Sequence, residues 1–279
     1  MKPFIYLRGL RQAQHTVFSV NDGQKYYWDS QFNRKIAYSS GQQVKRSVID
    51  SMVTLMNAPF AAITFNWEID KKENKAKQKE PHSPCDPTFP DQLLGGYMKA
   101  ETDSFTVKRR SPLSISAMRP LHPLLGGMEK EEENLTFDRT SHPEHHKVNV
   151  YWLDDKKSRG EKLTDKELNE WLISNKRNLP NRAYIQGQTR ASGLFVYDIA
   201  IDLRTLFCVS TNKLEPELFP EIEQKLRDAG WIEGENIFGR CLICPKEERE
   251  KIIPALAHAL INWRITSNQA RTFSPMETL

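Results

Sequence analysis

The chain has 279 residues, 38% of them apolar, with a net charge of +4 at neutral pH and a pI near 8.7. That is enough apolar material for one elaborated domain or two and excludes a disordered chain. The charge is too balanced for a histone-like binder, so any nucleic-acid surface must be local.

In chain order, residues 3–8 alternate as a strand, and an irregular tyrosine-rich stretch runs on to Tyr38. Ser39-Ser40-Gly41 supplies the small polar residues that begin a helix. Val44, Val48, Met52 and Leu55 then share one face of a helix reaching about residue 56. Residues 61–69 form a second strand. Residues 70–90 (with K-K-E-N-K-A-K-Q-K-E-P-H-S-P) have no apolar period and are expected to be a flexible, solvated loop. After 91–120 comes a polar stretch at 121–147 and a short strand, V-N-V-Y-W-L, at 148–153. Thr164-Asp165-Lys166-Glu167 is a capping box that opens a helix to about residue 176.

Residues 192–209 are the longest β-like run, and 219–229 form a short amphipathic helix. Residues 246–265 form a helix with Ile252, Ile253, Leu256, Ala259 and Leu260 as its buried stripe, and 271–275 resemble an edge strand. Without the loops, the order strand, helix, strand, strand, helix, strand is that of a ferredoxin-like or RNA-recognition-motif (RRM) core. The expectation is an α+β fold with an RRM-like palm from 1–69 and 148–279 and an insertion at 70–147.

Charge is concentrated locally. Residues 1–60 carry Lys2, Arg8, Arg11, Lys25, Arg34, Lys35, Lys45 and Arg46 against Asp22, Asp29 and Asp50, whereas 129–133 read E-K-E-E-E. The most informative segment is 91–120, D-Q-L-L-G-G-Y-M-K-A and then F-T-V-K-R-R-S-P-L-S-I-S-A-M-R-P. Lys108, Arg109 and Arg110, then Ser111-Pro112 and the hydroxyls of Ser114 and Ser116, offer guanidinium forks, hydroxyls and backbone amides. That mixture grips phosphate and sugar without reading bases. Ser40, Gly41 and Gln42 open a helix whose amides and dipole suit a phosphate, with Lys45 and Arg46 close by.

The candidate contacts are therefore Ser40, Gly41, Gln42, Lys45, Arg46, Lys108, Arg109, Arg110, Ser111 and Arg119, joined by Arg271. Met118 is either an apolar wedge between stacked bases or a core methionine. Phe4 and Tyr6 lack the aromatic spacing and basic pattern of an RNA-recognition sheet and are assigned to the core.

Other chemistry is sparse. Cys241-Leu-Ile-Cys244 has no second CxxC and sits in a strand-like run, so it and Cys85 and Cys208 are expected as reduced, mostly buried thiols. His142-Pro-Glu-His145-His146 has loop composition and is not expected to hold a metal, and no cofactor is implied. No P-loop, nucleophile-elbow or H-E-x-x-H signature occurs. No apolar run approaches the ~18 residues of a bilayer span, and M-K-P-F-I-Y-L-R lacks a signal-peptide core, so a cytoplasmic protein with no membrane partner is expected.

Four separated segments together resemble one family. They are the first strand leading to S-S-G-Q-Q-V-K-R, the D-Q-L-L-G-G-Y-M and V-K-R-R-S-P-L-S-I-S-A-M-R-P pair, S-G-L-F-V-Y-D-I-A-I-D-L, and S-N-Q-A-R near the C-terminus. The chain is similar to the backbone subunit of type I CRISPR Cascade surveillance complexes, the DevR-like branch of the Cas-seven group in the RAMP superfamily. S-N-Q-A-R stands where relatives more often show paired glycines.

The resemblance implies an RRM palm with inserted finger/web and thumb elements and no enzymatic activity. It also implies a filament of copies along the guide crRNA, held by its backbone so that its bases pair with a target DNA strand, and other Cascade subunits as partners. Two rivals stand beside it. One is a type III-like subunit that cuts RNA with a metal held by Asp22 or Asp29. The other is a non-CRISPR structural oligomer with the same palm.

Overall fold

The computed structural model describes residues 3–16, 18, 24–70, 75–100, 106–130, 135–137, 147–153, 159–177, 183–185, 189–264 and 276–278. The elements in chain order begin with β1 (Phe4–Thr16), β2 (Tyr26–Asp29), β3 (Arg34–Ala37), α1 (Gly41–Leu55), β4 (Thr64–Asp70) and β5 (Lys75–Gln78). Next come α2 (Pro90–Gly95), β6 (Tyr97–Lys99), β7 (Val107–Arg109), β8 (Leu113–Ile115), β9 (Arg119–Pro120), β10 (Gly126–Lys130) and β11 (Leu135–Phe137). Then follow β12 (Lys147–Leu153), β13 (Arg159–Lys162), α3 (Asp165–Ser174), β14 (Ala183–Ile185), β15 (Thr189–Asp202) and β16 (Cys208–Ser210). The last are α4 (Pro220–Asp228), β17 (Ile232–Asn236), β18 (Gly239–Ile243), α5 (Lys246–Asn262) and β19 (Met276–Thr278). They form two units: Met1–Phe60 with Cys85–Asp138 and Ala183–Leu279, and Ala61–Pro84 with Arg139–Arg182.

In the first unit β1 lies between β19 and β15, and the other edge of β15 is taken by β8, β9 and β10, every pairing antiparallel. α1 falls between the first two strand positions and α5 between the last two. This is the β-α-β-β-α-β order of a ferredoxin-like sheet, and the molecule is an α+β protein. α1 buries Val44, Val48, Met52, Ile49 and Val53, each fully buried apolar side chain worth about 1.5–3 kcal/mol. Leu55, expected in that stripe, is exposed because the helix ends there: Asn57 turns left-handed (φ 49) and the Ala58 amide donates back to the Val53 carbonyl.

Phe195, Tyr197 and Ile199 of β15 join Leu256, Ala259 and Leu260 of α5 in the same core. Gly9 faces Tyr197 across the ladder, and a Cβ at Gly9 would overlap the tyrosine ring. That ring meets Trp263 edge-on at 5.5 Å, and the indole Nε1 donates to Tyr197 Oη at 2.9 Å. Arg11 lies 4.0 Å over the indole and donates to the Ile261 carbonyl at 3.0 Å. Its burial is thus matched by a ring face and a hydrogen bond.

The second unit is the sheet β13-β12-β4-β5, with β12 and β4 parallel. Leu168 and Trp171 of α3 pack on Trp67, Ile69, Val150 and Leu163. The capping box is formed in full: Glu167 N donates to Thr164 Oγ1 at 3.3 Å and Thr164 N to Glu167 Oε2 at 2.8 Å.

Several assignments move. β4, expected as the palm's second strand, pairs with β12, and the second position of the central sheet is filled by β8–β10 from the segment expected as an insertion. Within 70–90, a polar run without apolar period still forms the edge strand β5, and Cys85, Asp86 and Pro87 are buried. The 192–209 run divides into β15 and β16. Ile253 is exposed and Ala255 takes its place in the α5 stripe. Cys85, Cys241 and Cys244 are buried and no cysteine is paired. Among the described residues no helix is long and apolar enough to cross a membrane, and no cluster of metal-ligating residues occurs.

Candidate nucleic-acid interface

Ser39 and Met118 exchange backbone hydrogen bonds of 3.0 Å, which ties the start of α1 to the end of the β8–β9 segment. Ser40 caps the helix, its Oγ accepting from Gln43 N at 3.4 Å. A Cβ on Gly41 would overlap the Ile115 carbonyl oxygen, so glycine is what lets the helix begin against that backbone. Among the described residues nothing accepts from the Gly41 and Gln42 amides, as expected of the first helical positions. Gln42 is exposed, and Ser39 Oγ donates to Gln43 Oε1 at 3.1 Å.

One turn on, Lys45 is half-buried, and that burial pushes its ammonium pKa down. Arg46 is exposed but ion-paired, its Nε 2.7 Å from Asp50 Oδ1. Arg119, next to the Ser39–Met118 bridge, is exposed and lies 5.6 Å over the Tyr27 ring.

The cation triplet on β7 splits by strand alternation. Lys108 and Arg110 are exposed, whereas Arg109 is only 3% exposed. Arg109 donates from Nε and Nη2 to the Leu93 carbonyl at 3.3 and 3.2 Å. Its Nη2 also reaches Thr205 O at 3.0 Å, and Nη1 reaches Cys208 O at 2.8 Å and Glu217 Oε2 at 3.1 Å. This corrects the expectation that Arg109 grips phosphate, because its donors are used inside the protein.

Ser111 Oγ lies 2.7 Å from the carbonyls of Leu94 and Leu113 and accepts from Leu113 N at 3.1 Å, bracing a turn. Met118 is fully buried, which makes it the core methionine and not a wedge. Of the paired glycines, Gly96 has φ 74, and a Cβ there would lie 2.7 Å from Arg109 O and Ser111 N. Asp29 is half-buried and accepts from Phe32 N at 2.9 Å through Oδ1, holding the β2–β3 turn. Arg271, Asp22 and His142-His146 lie outside the described residues.

Two aromatic surfaces escaped the sequence. On the β2–β3 hairpin Tyr26 and Trp28 are 48% and 55% exposed, and Lys35 Nζ lies 4.4 Å over the Tyr26 ring. Tyr27, on the opposite face, meets Tyr38 edge-on at 6.1 Å and lies under Arg119. On the open face of the central sheet, Tyr6 is 73% exposed and stacks on Phe4 with ring centroids 5.6 Å apart, so neither ring belongs to the core as expected. Arg8 forks onto Asp198 at 2.7 and 3.2 Å. Arg204 forks onto Asp202 at 2.8 and 2.9 Å and lies 4.6 Å over Phe4 and 5.1 Å over Phe238. The hydrogen bond from Arg8 holds the Asp198 carboxyl below its ordinary pKa, and that from Arg204 does the same for Asp202. The signal for both surfaces was aromatic residues spaced two apart on a strand, which places them on one face.

No protein-family model and no curated protein matches the chain. Solved structures resemble it, two of them as follows. One, described as "CRISPR RNA-guided surveillance complex", has 9% identity and a TM-score of 0.39, covering 97% of this chain and 66% of that one. The other, described as "CRISPR RNA-guided surveillance complex, pre-nicking", has 10% identity and a TM-score of 0.48, covering 97% of this chain and 76% of that one. Likeness that faint leaves the function to rest on the molecule itself.

Proposed function

We propose that this chain is a backbone subunit of a type I CRISPR surveillance complex. It lines up with copies of itself along a guide crRNA, holds phosphates and sugars without sequence preference, and leaves the bases to pair with target DNA beside other Cascade subunits. The observation that carries the proposal is the junction of β3 and α1. Two unaccepted amides and the exposed Gln42 stand at that seam, with Lys45 one turn on and Arg119 next to the Ser39–Met118 bridge, donors suited to phosphate and sugar. Ser40 and Arg46 flank them, and Lys108 and Arg110 supply further exposed charge. A guide of arbitrary sequence must be held in this way, since base-edge contacts would restrict which guides fit.

The subunit needs no catalytic group. Among the described residues nothing favours the nuclease reading: one oxygen of Asp29 is committed to the hairpin turn. The test is co-expression with partner subunits and a CRISPR array. The expected product is an RNA-bound species larger than one protomer that leaves complementary RNA uncut in Mg²⁺. A nucleic-acid-free monomer, with the guide shown to be present, would overturn the proposal. Cleavage products lost on Asp29→Ala or Asp22→Ala would install the nuclease instead.

A further inference from the structure

We infer that the outer face of the β2–β3 hairpin is a stacking platform that takes one base of a single-stranded nucleic acid between Tyr26 and Trp28. The inference rests on the function proposed above and extends it from the phosphates to one base per copy, which is withdrawn from pairing while its neighbours stay free to pair. In the register Trp28 opposite Lys35 and Tyr26 opposite Ala37, Tyr26, Trp28 and Lys35 occupy one side of the hairpin. About half of each aromatic side chain faces water, although rings of this size are ordinarily buried. Residues two apart on a strand are about 6.8 Å from each other, roughly twice the 3.4 Å rise of stacked bases, so one base fits between such rings.

Charge selects this occupant over a protein. Lys35 has no carboxylate partner among the described residues, and the hairpin's one acid, Asp29, is on the opposite side holding the Phe32 amide. A cation resting on one of two exposed rings, with no counter-charge on that face among the described residues, complements a strand that brings a phosphate with every base. β3 leads directly into Ser39 and the α1 junction, and Arg119 sits on the ring of Tyr27 on the hairpin's other face, so a strand reaching the platform from the phosphate-holding donors passes over the edge of the hairpin. Stacking also keeps the subunit indifferent to sequence, because every base offers a π-face.

The experiment measures binding of the full-length chain to a uridine oligonucleotide and to the same strand made abasic at every position, across a salt series. Trp28→Ala is expected to weaken binding to the uridine strand roughly 5- to 150-fold without changing the salt slope. Trp28→Phe should restore most of that loss, and Trp28→Ala should have little effect on the abasic strand. If the parent binds neither strand, this inference and the function both fail. If the parent binds with a normal salt slope and Trp28→Ala binds equally well, the inference fails and the function stands. If Trp28→Ala instead abolishes self-association, or weakens both strands equally, the face takes protein and the inference is overturned.

Discussion

The β2–β3 hairpin and the open face of the central sheet use the same residue types to different ends. Each displays two or more exposed aromatic side chains with a cation over a ring. On the sheet face Arg8 and Arg204 are each forked onto an aspartate, so the surface is electrically closed and offers mainly apolar area. On the hairpin and at the adjoining junction, Lys35, Lys45 and Arg119 have no carboxylate partner among the described residues. On the proposed function, what marks the nucleic-acid surface is the charge left over after internal pairing, more than the count of arginines and aromatic residues.

Arg109 is the limiting case of a spent cation, and it should give the largest effect. Arg109→Met leaves three carbonyl groups without this donor and Glu217 with the Ser210 amide but no cation, at a cost of about 3–5 kcal/mol. Urea unfolding measures it. A variant as stable as the parent but poor in RNA binding would break the rule that pairing decides use.

The rule itself is tested by salt. Lys45→Ala with Arg119→Ala should reduce the slope of log affinity against log salt by about 1.4, at about 0.7 per contact on a single strand. Arg8→Ala with Arg204→Ala should leave it unchanged. Equal slopes for the two pairs would erase the distinction.

Smaller, and common to both surfaces, is a loss of stability in alkali. Burial pushes the Cys241 thiol up to about 11 and the Cys244 thiol to about 12, from an ordinary value of 9.0. The folded chain therefore keeps these protons to higher pH than the unfolded chain. Their contribution is complete below about pH 9 and declines as pH rises toward 11 to 12. The urea midpoint should fall over that range, less steeply in Cys244→Ala, and by the same amount in the two arginine and lysine pairs above.

The smallest effect belongs to Lys45. Because burial lowers its pKa, RNA affinity should begin to weaken at a lower pH than an ordinary lysine would allow. Lys45→Arg should remove that dependence, and a titration showing identical curves would place Lys45 outside the contact.

Local order was legible where one element decides its own fate. The Thr164 capping box and the Val44-Val48-Met52 stripe are set by spacing within a turn or two, and both stand in the structure. Strand partners were not legible, because residues 64–70 and 113–115 both look extended and only long-range packing decides that β8 and not β4 joins β15. V-K-R-R could have been divided by period two, with buried Val107 predicting buried Arg109, but taken as a block of charge it concealed which of its two arginines faces inward. For Phe4 and Tyr6 the shared face was legible, yet which face meets water is fixed by α1 and α5 packing on the other side.

Gly41 has a consequence for motion. Its missing side chain lets the first turn of α1 rest on the backbone of Ile115 and Ser116, and the Ser39–Met118 bridge fastens the same seam. The helix end cannot lift without disturbing the strand beneath it. The amides of Gln43 and Val44 and those along β8 should therefore exchange with solvent through one shared opening, as a single cooperative unit. The two unaccepted amides would then be held in place before any ligand arrives, and binding would have little local ordering left to do.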